Sequence, residues 1–240
     1  MKSQKMTKEK KPGKMDVTNV PKVPYQGPEE EEANWVEIYH RLFFGRYFFL
    51  ARPLEKQPAD QIMKSMIYLN QEDPTKDFMF FIHCRGGGMV QGVAVYDTMQ
   101  YVTGDVCTIG VGLNASMGAF LLHGGTFTKR VMTENASIMI HQPHMSPYDR
   151  RSTSIESGFD SEYLNDLRSY IVDTYVSTTK QDQELITYLL ERDIYMTPEQ
   201  AIEFGLVDAI GIEGLDFAPI SHDYDDGHDD HYFGCFDDDR

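Results

Sequence analysis

The chain is poor in the residues that staple or anchor a protein. Only three of its 240 residues are cysteine (Cys84, Cys107 and Cys235), and none sits in a CxxC pair. Neither a disulfide framework nor a cysteine-built metal site is therefore expected, and a reducing compartment is the simple reading. Long apolar runs are also missing. The best candidates, such as Ile138-Met139-Ile140, fall far short of the roughly 18 residues a membrane helix needs, so no membrane partner is expected. Basic residues are scarce: 22 Lys and Arg face 38 Asp and Glu, a formal charge of −16. That is the wrong sign for neutralising phosphates, and nucleic acid is not expected as a partner. GxxxxGK[ST] and GxGxxG are both absent, so no nucleotide or other cofactor is expected. The start of the chain lacks the apolar core of a secretory signal. It is Lys-rich with no Arg before Arg41, unlike a transit peptide, which for a protein that works in an organelle points to synthesis there.

What is present fits one α/β domain between two charged ends. Hydrophobic residues make up 41% of the chain and charged residues 25%, enough of both for a buried core under a solvated surface. Residues 1–14 hold six Lys against one Glu, and residues 216–240 hold nine Asp against one Arg. Residues 1–33 lack periodicity, carry Pro12, Pro21, Pro24 and Pro28, and end in four consecutive Glu. They read as an extended arm with a docking segment at 20–25, and 213–240 as an acidic disordered tail around a domain at 34–212. In the tail, His222, His228 and His231 lack metal-ligand spacing; no metal site is expected.

Within the domain, apolar runs alternate with helical spacing. A short helix is predicted over 35–42 and a buried strand at Tyr47–Leu50. Ile62, Met63, Met66, Ile67 and Leu69 predict an amphipathic helix over 60–70. The run Phe78–Ile82 reads as a strand covered on both faces, as in a parallel sheet, and leads into Arg85-Gly86-Gly87-Gly88. Further strands are predicted at 106–112, 130–132, 137–141 and 206–210. Helices are predicted at 93–102, from Ser116 to Leu122, and over Pro198–Phe204 ending at Gly205. Residues 155–180 carry Ile155, Phe159, Tyr163, Leu167, Tyr170 and Thr174 in steps of three and four, which predicts one helix of about six turns. It either meets a partner subunit or packs on the head; periodicity does not separate the two.

Three positions can carry chemistry. Ser116, between a strand and a helix in Asn114-Ala115-Ser116-Met117-Gly118, is a helix N-cap or an exposed nucleophile that needs a base. The Met117 amide, in the first helical turn, would face such a site. His141 ends a strand before Gln142-Pro143 and is a hydrogen-bonded edge residue or a general base, with His144 as rival. Asp193 is a solvated charge, a helix cap, or the carboxylate that orients an imidazole. The Gly86-Gly87-Gly88 turn suits an oxyanion hole better than a phosphate cradle.

Together these features resemble the Clp protease proteolytic subunit family (ClpP), in its plastid form. The resemblance spans residues 20–210. It rests on Val20-Pro21-Lys22-Val23-Pro24, Trp35-Val36-Glu37-Ile38-Tyr39, Met66-Ile67-Tyr68-Leu69 and Val95-Tyr96-Asp97-Thr98-Met99-Gln100. Ala115-Ser116-Met117-Gly118-Ala119-Phe120, Met139-Ile140-His141-Gln142-Pro143, Glu191-Arg192-Asp193 and Glu203-Phe204-Gly205-Leu206-Val207-Asp208 complete it. The resemblance implies a crotonase-like α/β head of repeated β-β-α units with a protruding handle helix. It implies a serine endopeptidase with Ser116 as nucleophile, His141 as base, Asp193 as orienting acid, and Gly87 and Met117 as oxyanion-hole donors. It also implies heptameric rings stacked as a tetradecamer through the handle, an AAA+ chaperone that feeds in unfolded protein, and residence in the chloroplast stroma. One departure stands out: His83-Cys84-Arg85-Gly86-Gly87 replaces the family's usual Asn-Ser-Pro-Gly-Gly. The alternative reading is a non-catalytic ring subunit of the same complex; an acyl-CoA enzyme of the same broad fold gives no reason for the three polar residues to occur together.

Overall fold

Five apolar runs line up side by side in one parallel sheet. The structure, a computed structural model, describes residues 20–25, 34–143 and 154–211. In chain order the elements are β1 (Lys22–Tyr25), β2 (Asn34–Glu37), α1 (Ile38–Phe44), β3 (Tyr47–Leu50), α2 (Lys56–Glu72), β4 (Phe78–Ile82), α3 (Met89–Tyr101) and β5 (Val106–Gly110). Then come β6 (Leu113–Ala115), α4 (Met117–His123), β7 (Arg130–Met132), β8 (Ser137–Ile140) and α5 (Ser154–Thr179). The last are α6 (Gln183–Leu190), β9 (Ile194–Met196), α7 (Pro198–Phe204) and β10 (Ala209–Ile210). The large sheet runs β10-β7-β5-β4-β3, and every neighbouring pair in it is parallel. A smaller sheet, β6-β8-β9, stands beside it, and β1 pairs with β2 alone. This is the α/β architecture the sequence predicts.

Burial follows position in the sheet. All five residues of β5 are buried, because β4 and β7 flank it and helices cover its faces. Phe78, Phe80 and Ile82 of β4 are fully buried, each side chain contributing about 1.5–3 kcal/mol relative to an exposed one. Helix α2 buries Ala59, Ile62, Met66 and Leu69, the three-and-four spacing of one apolar stripe. Every residue of α4 is buried. Its Phe120 packs edge-on against Tyr175 of α5, with ring centroids 5.7 Å apart.

Polar groups fix the joints. The Arg46 guanidinium donates to the carbonyls of Lys76 (2.8 Å), Asp73 (2.5 Å) and Leu69, tying the end of α2 to the start of β3. The buried Arg130 holds Asp208 by a two-pronged pair at 2.9 and 2.7 Å, linking β7 to the approach of β10. Helix α7 begins with a capping box between Thr197 and Gln200 and ends at Gly205 in the left-handed conformation.

Several local expectations change. Trp35 to Glu37 are strand, because they pair with β1, and the helix begins only at Ile38. Tyr47–Leu50 is a strand, yet Phe49 is 52% exposed because β3 is the sheet edge. The run 106–112 splits after Gly110, and β6 is a strand of its own. Leu206 and Val207 are buried without joining a ladder; only Ala209 and Ile210 pair, with Val131 and Met132. Helix α5 packs on the head in part, one of the two roles that its periodicity left open. Its later half buries Ile171, Val172 and Tyr175, whereas Tyr163 is half exposed. Val20 to Tyr25 includes the strand β1; the rest of the arm, His144 and the tail histidines lie outside the described residues.

Candidate active site

The small sheet collects the three polar residues at one end. Strands β6 and β8 are parallel, with Ala115 opposite Met139, so they finish together. Strand β9 runs antiparallel to β8, with Ile140 opposite Ile194, so it starts where they finish. Ser116 is one residue past β6, His141 one past β8, and Asp193 one before β9. His141 Nε2 lies 2.9 Å from Ser116 Oγ, and His141 Nδ1 lies 3.0 Å from Asp193 Oδ1. A carboxylate only accepts, so it holds the proton on Nδ1 and leaves the Nε2 lone pair facing the serine hydroxyl.

Ser116 occupies the N-cap position of α4 without acting as a cap: its side chain makes no bond to the helix's free amides. Its backbone is at φ 56°, ψ −122°, a conformation that non-glycine residues avoid. The turn is held on both sides, by Ser116 N–H donating to Met139 O at 2.8 Å and Phe120 N–H donating to Ser116 O at 3.0 Å. A strained strand-to-helix turn of this kind projects a hydroxyl clear of its own backbone.

The glycine loop presses on the serine. Gly86 has φ 109°, and a Cβ there would come within 2.8 Å of Ser116 Cβ. A Cβ on Gly87 would run into the Leu54 backbone. Leu54 N–H donates to Gly86 O at 2.9 Å, and Gly88 N–H donates to Leu54 O at 2.8 Å. The Gly87 amide between them has no backbone acceptor among the described residues. Nothing in the sequence marks Leu54 as a support, since it lies over thirty residues from the loop. Cys84 anchors the other side: its carbonyl accepts from Ala115 N–H at 2.8 Å, and its buried Sγ sits 3.3 Å from the Gly86 amide. Burial pushes the Cys84 thiol up, which disfavours its thiolate.

These parts open into one cleft of about 590 Å³. Ser116, His141, Gly87 and Met117 line it together with apolar side chains from α4 and α5, among them Phe120, Leu167, Ile171 and Tyr175. The α5 wall is the part of the site that sequence reasoning missed; its apolar stripe was visible, its neighbour was not. All five sequence-derived site residues fall in this region: four line the cleft, and Asp193, its side chain 61% exposed, stands behind His141. Among the described residues no group of His, Cys, Asp and Glu could hold a metal ion.

Comparison with known proteins agrees in extent with this architecture. A family model described as Clp protease matches residues 29–213. The chain is 42% identical over 191 residues to the ATP-dependent Clp protease proteolytic subunit of Pinus thunbergii, covering 80% of this chain and 96% of the relative. For the subunit of the same name from Panax ginseng the identity is 43% over 194 residues, covering 81% and 98%. For that of Staurastrum punctulatum it is 44% over 191 residues, covering 80% and 94%. Similarity at this level along nearly the whole of each relative, over a sheet and a cleft built as described, means that the chain belongs to the Clp protease family.

Proposed function

We propose that this chain is a serine endopeptidase, the proteolytic subunit of an ATP-dependent Clp protease, cutting unfolded polypeptide into short peptides. The observation that carries the reading is the continuous hydrogen-bonded series from Asp193 through His141 to Ser116, at 3.0 and 2.9 Å. In this reading Ser116 Oγ attacks the scissile carbonyl while its proton passes to His141 Nε2. Asp193 stabilises the imidazolium, and the proton then goes to the leaving amine. The resulting acyl-enzyme is hydrolysed by a water that gives its proton to the same nitrogen, restoring the serine. The Gly87 and Met117 amides receive the oxyanion; each such donor is worth about 2.7–4 kcal/mol of transition-state stabilisation in known hydrolases.

The domain occupies residues 34–212, flanked by the arm and the acidic tail. Its partners are sibling subunits in heptameric rings, two rings stacked through α5, and an AAA+ chaperone that unfolds substrates. Tyr163, on the earlier half of α5, lines the cleft and is also half exposed, which supports that contact. Plant relatives support a chloroplast setting, and the stroma is the place within it that this reading assigns.

The test is labelling of the purified complex with a fluorophosphonate. Mass analysis should find the adduct on Ser116, and Ser116→Ala should abolish both adduct and this subunit's share of peptide cleavage. An unlabelled Ser116 beside a labelled active homologue would instead make the chain a non-catalytic ring member.

A further inference from the structure

The cleft carries one permanent charge. Among its described lining residues, Arg85 alone is always ionised; the others are apolar or neutral apart from His141. Arg85 follows the buried Cys84 and precedes the buried Gly86, whose position against Ser116 and Leu54 fixes the loop. Between these two buried residues Arg85 is exposed, and it lines the cleft. It forms no ion pair or side-chain hydrogen bond among the described residues, whereas Arg46 and Arg130 are fully engaged.

We infer that Arg85 is a specificity-determining residue that makes this cleft select peptides bearing a carboxylate close to the bond being cut. The inference rests on the reading of Ser116 as the peptidase nucleophile. A guanidinium offers parallel N–H donors in a planar fork that matches a carboxylate. Apolar side chains such as Met89, Phe120 and Leu167 share the cleft lining with Arg85, and a pair formed there gains strength over one in bulk solvent. The chain as a whole carries −16, so its general field repels acidic peptides. A preference for them therefore has to arise locally, and Arg85 is the local source. The carboxylate has two possible origins, an Asp or Glu side chain or the free carboxyl terminus of a short peptide.

The experiment uses the assembled complex and internally quenched peptides with an apolar residue before the scissile bond. One arm places Glu, Gln or Lys at each of three positions on either side; the other compares free-acid with amidated C-termini. Cleavage by the Ser116→Ala complex is subtracted, and fluorophosphonate labelling of Ser116 is measured in parallel. In one arm kcat/KM should favour the carboxylate by about fivefold to tenfold. Arg85→Gln should bring that ratio near one, Arg85→Lys should keep part of it, and Arg85→Glu should turn it toward Lys. The responding arm identifies the carboxylate's origin. Labelled Ser116 with ratios that Arg85→Gln and Arg85→Glu leave unchanged overturns the inference alone. Unlabelled Ser116 with no cleavage overturns the peptidase reading and this inference with it.

Discussion

Ile140 faces Ile194 across the antiparallel β8–β9 ladder, and one step beyond that pair stand His141 and Asp193, bonded at 3.0 Å. The carboxylate is thus aimed by strand register, although its own side chain is mostly in solvent. Its contribution should be electronic and orientational rather than structural, which leads to the first prediction.

Asp193→Asn should lower kcat by about three to four orders of magnitude. The amide can donate to Nδ1 and hold the imidazole in the wrong tautomer, with its proton toward Ser116. Because the side chain is exposed, Tm should stay within about 1 °C of the parent. Steady-state kinetics and calorimetry on the same sample check both halves, and a large fall in Tm would mean the carboxylate holds the fold.

Gly87→Ala should reduce kcat by about 10²–10³-fold. Its methyl would collide with the Leu54 backbone, so the loop must lift and the Gly86 and Gly88 bonds to Leu54 must stretch. The core of the large sheet lies elsewhere, and fluorophosphonate labelling should slow in step with kcat.

Ser116→Gly and Ser116→Ala should both be inactive but differ in stability. The backbone at φ 56° strains any residue with a Cβ, and glycine relieves it. The glycine variant should be about 1 kcal/mol more stable than the alanine variant, or about 2–4 °C in Tm for a chain of this size. Equal melting temperatures would mean the turn relaxes in solution.

Stability should fall on acidification through His123. Burial above all, and Arg130 next to it, push this imidazole down to about 3, and its Nε2 is hydrogen-bonded to Thr178. Above the ordinary histidine value of about 6.5 both folded and unfolded chains carry it neutral, and it contributes no slope. Below that value only the unfolded chain takes up the proton, so stability is lost as pH drops toward 3, by up to about 1.4 kcal/mol per unit. His123→Gln should be less stable at pH 8 yet show a shallower decline from pH 6.5 to 5 in urea unfolding. Parallel declines would remove His123 as the cause.

Asn165→Pro should break the earlier half of α5, disturbing the cleft wall at Leu164 and Leu167, without unfolding the head, since the residues packed on the core begin at Tyr170. If two rings stack through this helix, sedimentation should show single rings in place of the double-ring particle. An unchanged particle would move the ring contact elsewhere.

The sequence made some of this legible and hid the rest for physical reasons. The Phe78–Ile82 run fits a covered strand and is one, with Met79 and Phe81 partly buried on its second face, and the Thr197-Pro198 start and Gly205 stop bound α7 to the residue. Ser116, His141 and Asp193 stood out through their motifs, but no local rule says that they meet. Their meeting depends on β6 and β9, each three residues long and too short for periodicity to register. Trp35 has helical spacing but is strand because it pairs with Pro24, eleven residues earlier. Leu54 and the α5 wall were hidden because their roles come from tertiary contact with a loop and a helix far away in the chain.

The cleft has two builders. The bond-making groups hang from strand ends of the small sheet, while Leu167, Ile171 and Tyr175 on the opposite side belong to α5. A tilt of that helix would widen or narrow the berth for a polypeptide and leave the serine, imidazole and carboxylate where they are. How snugly a guest is gripped and how fast its backbone is severed can therefore be tuned by separate parts of one molecule.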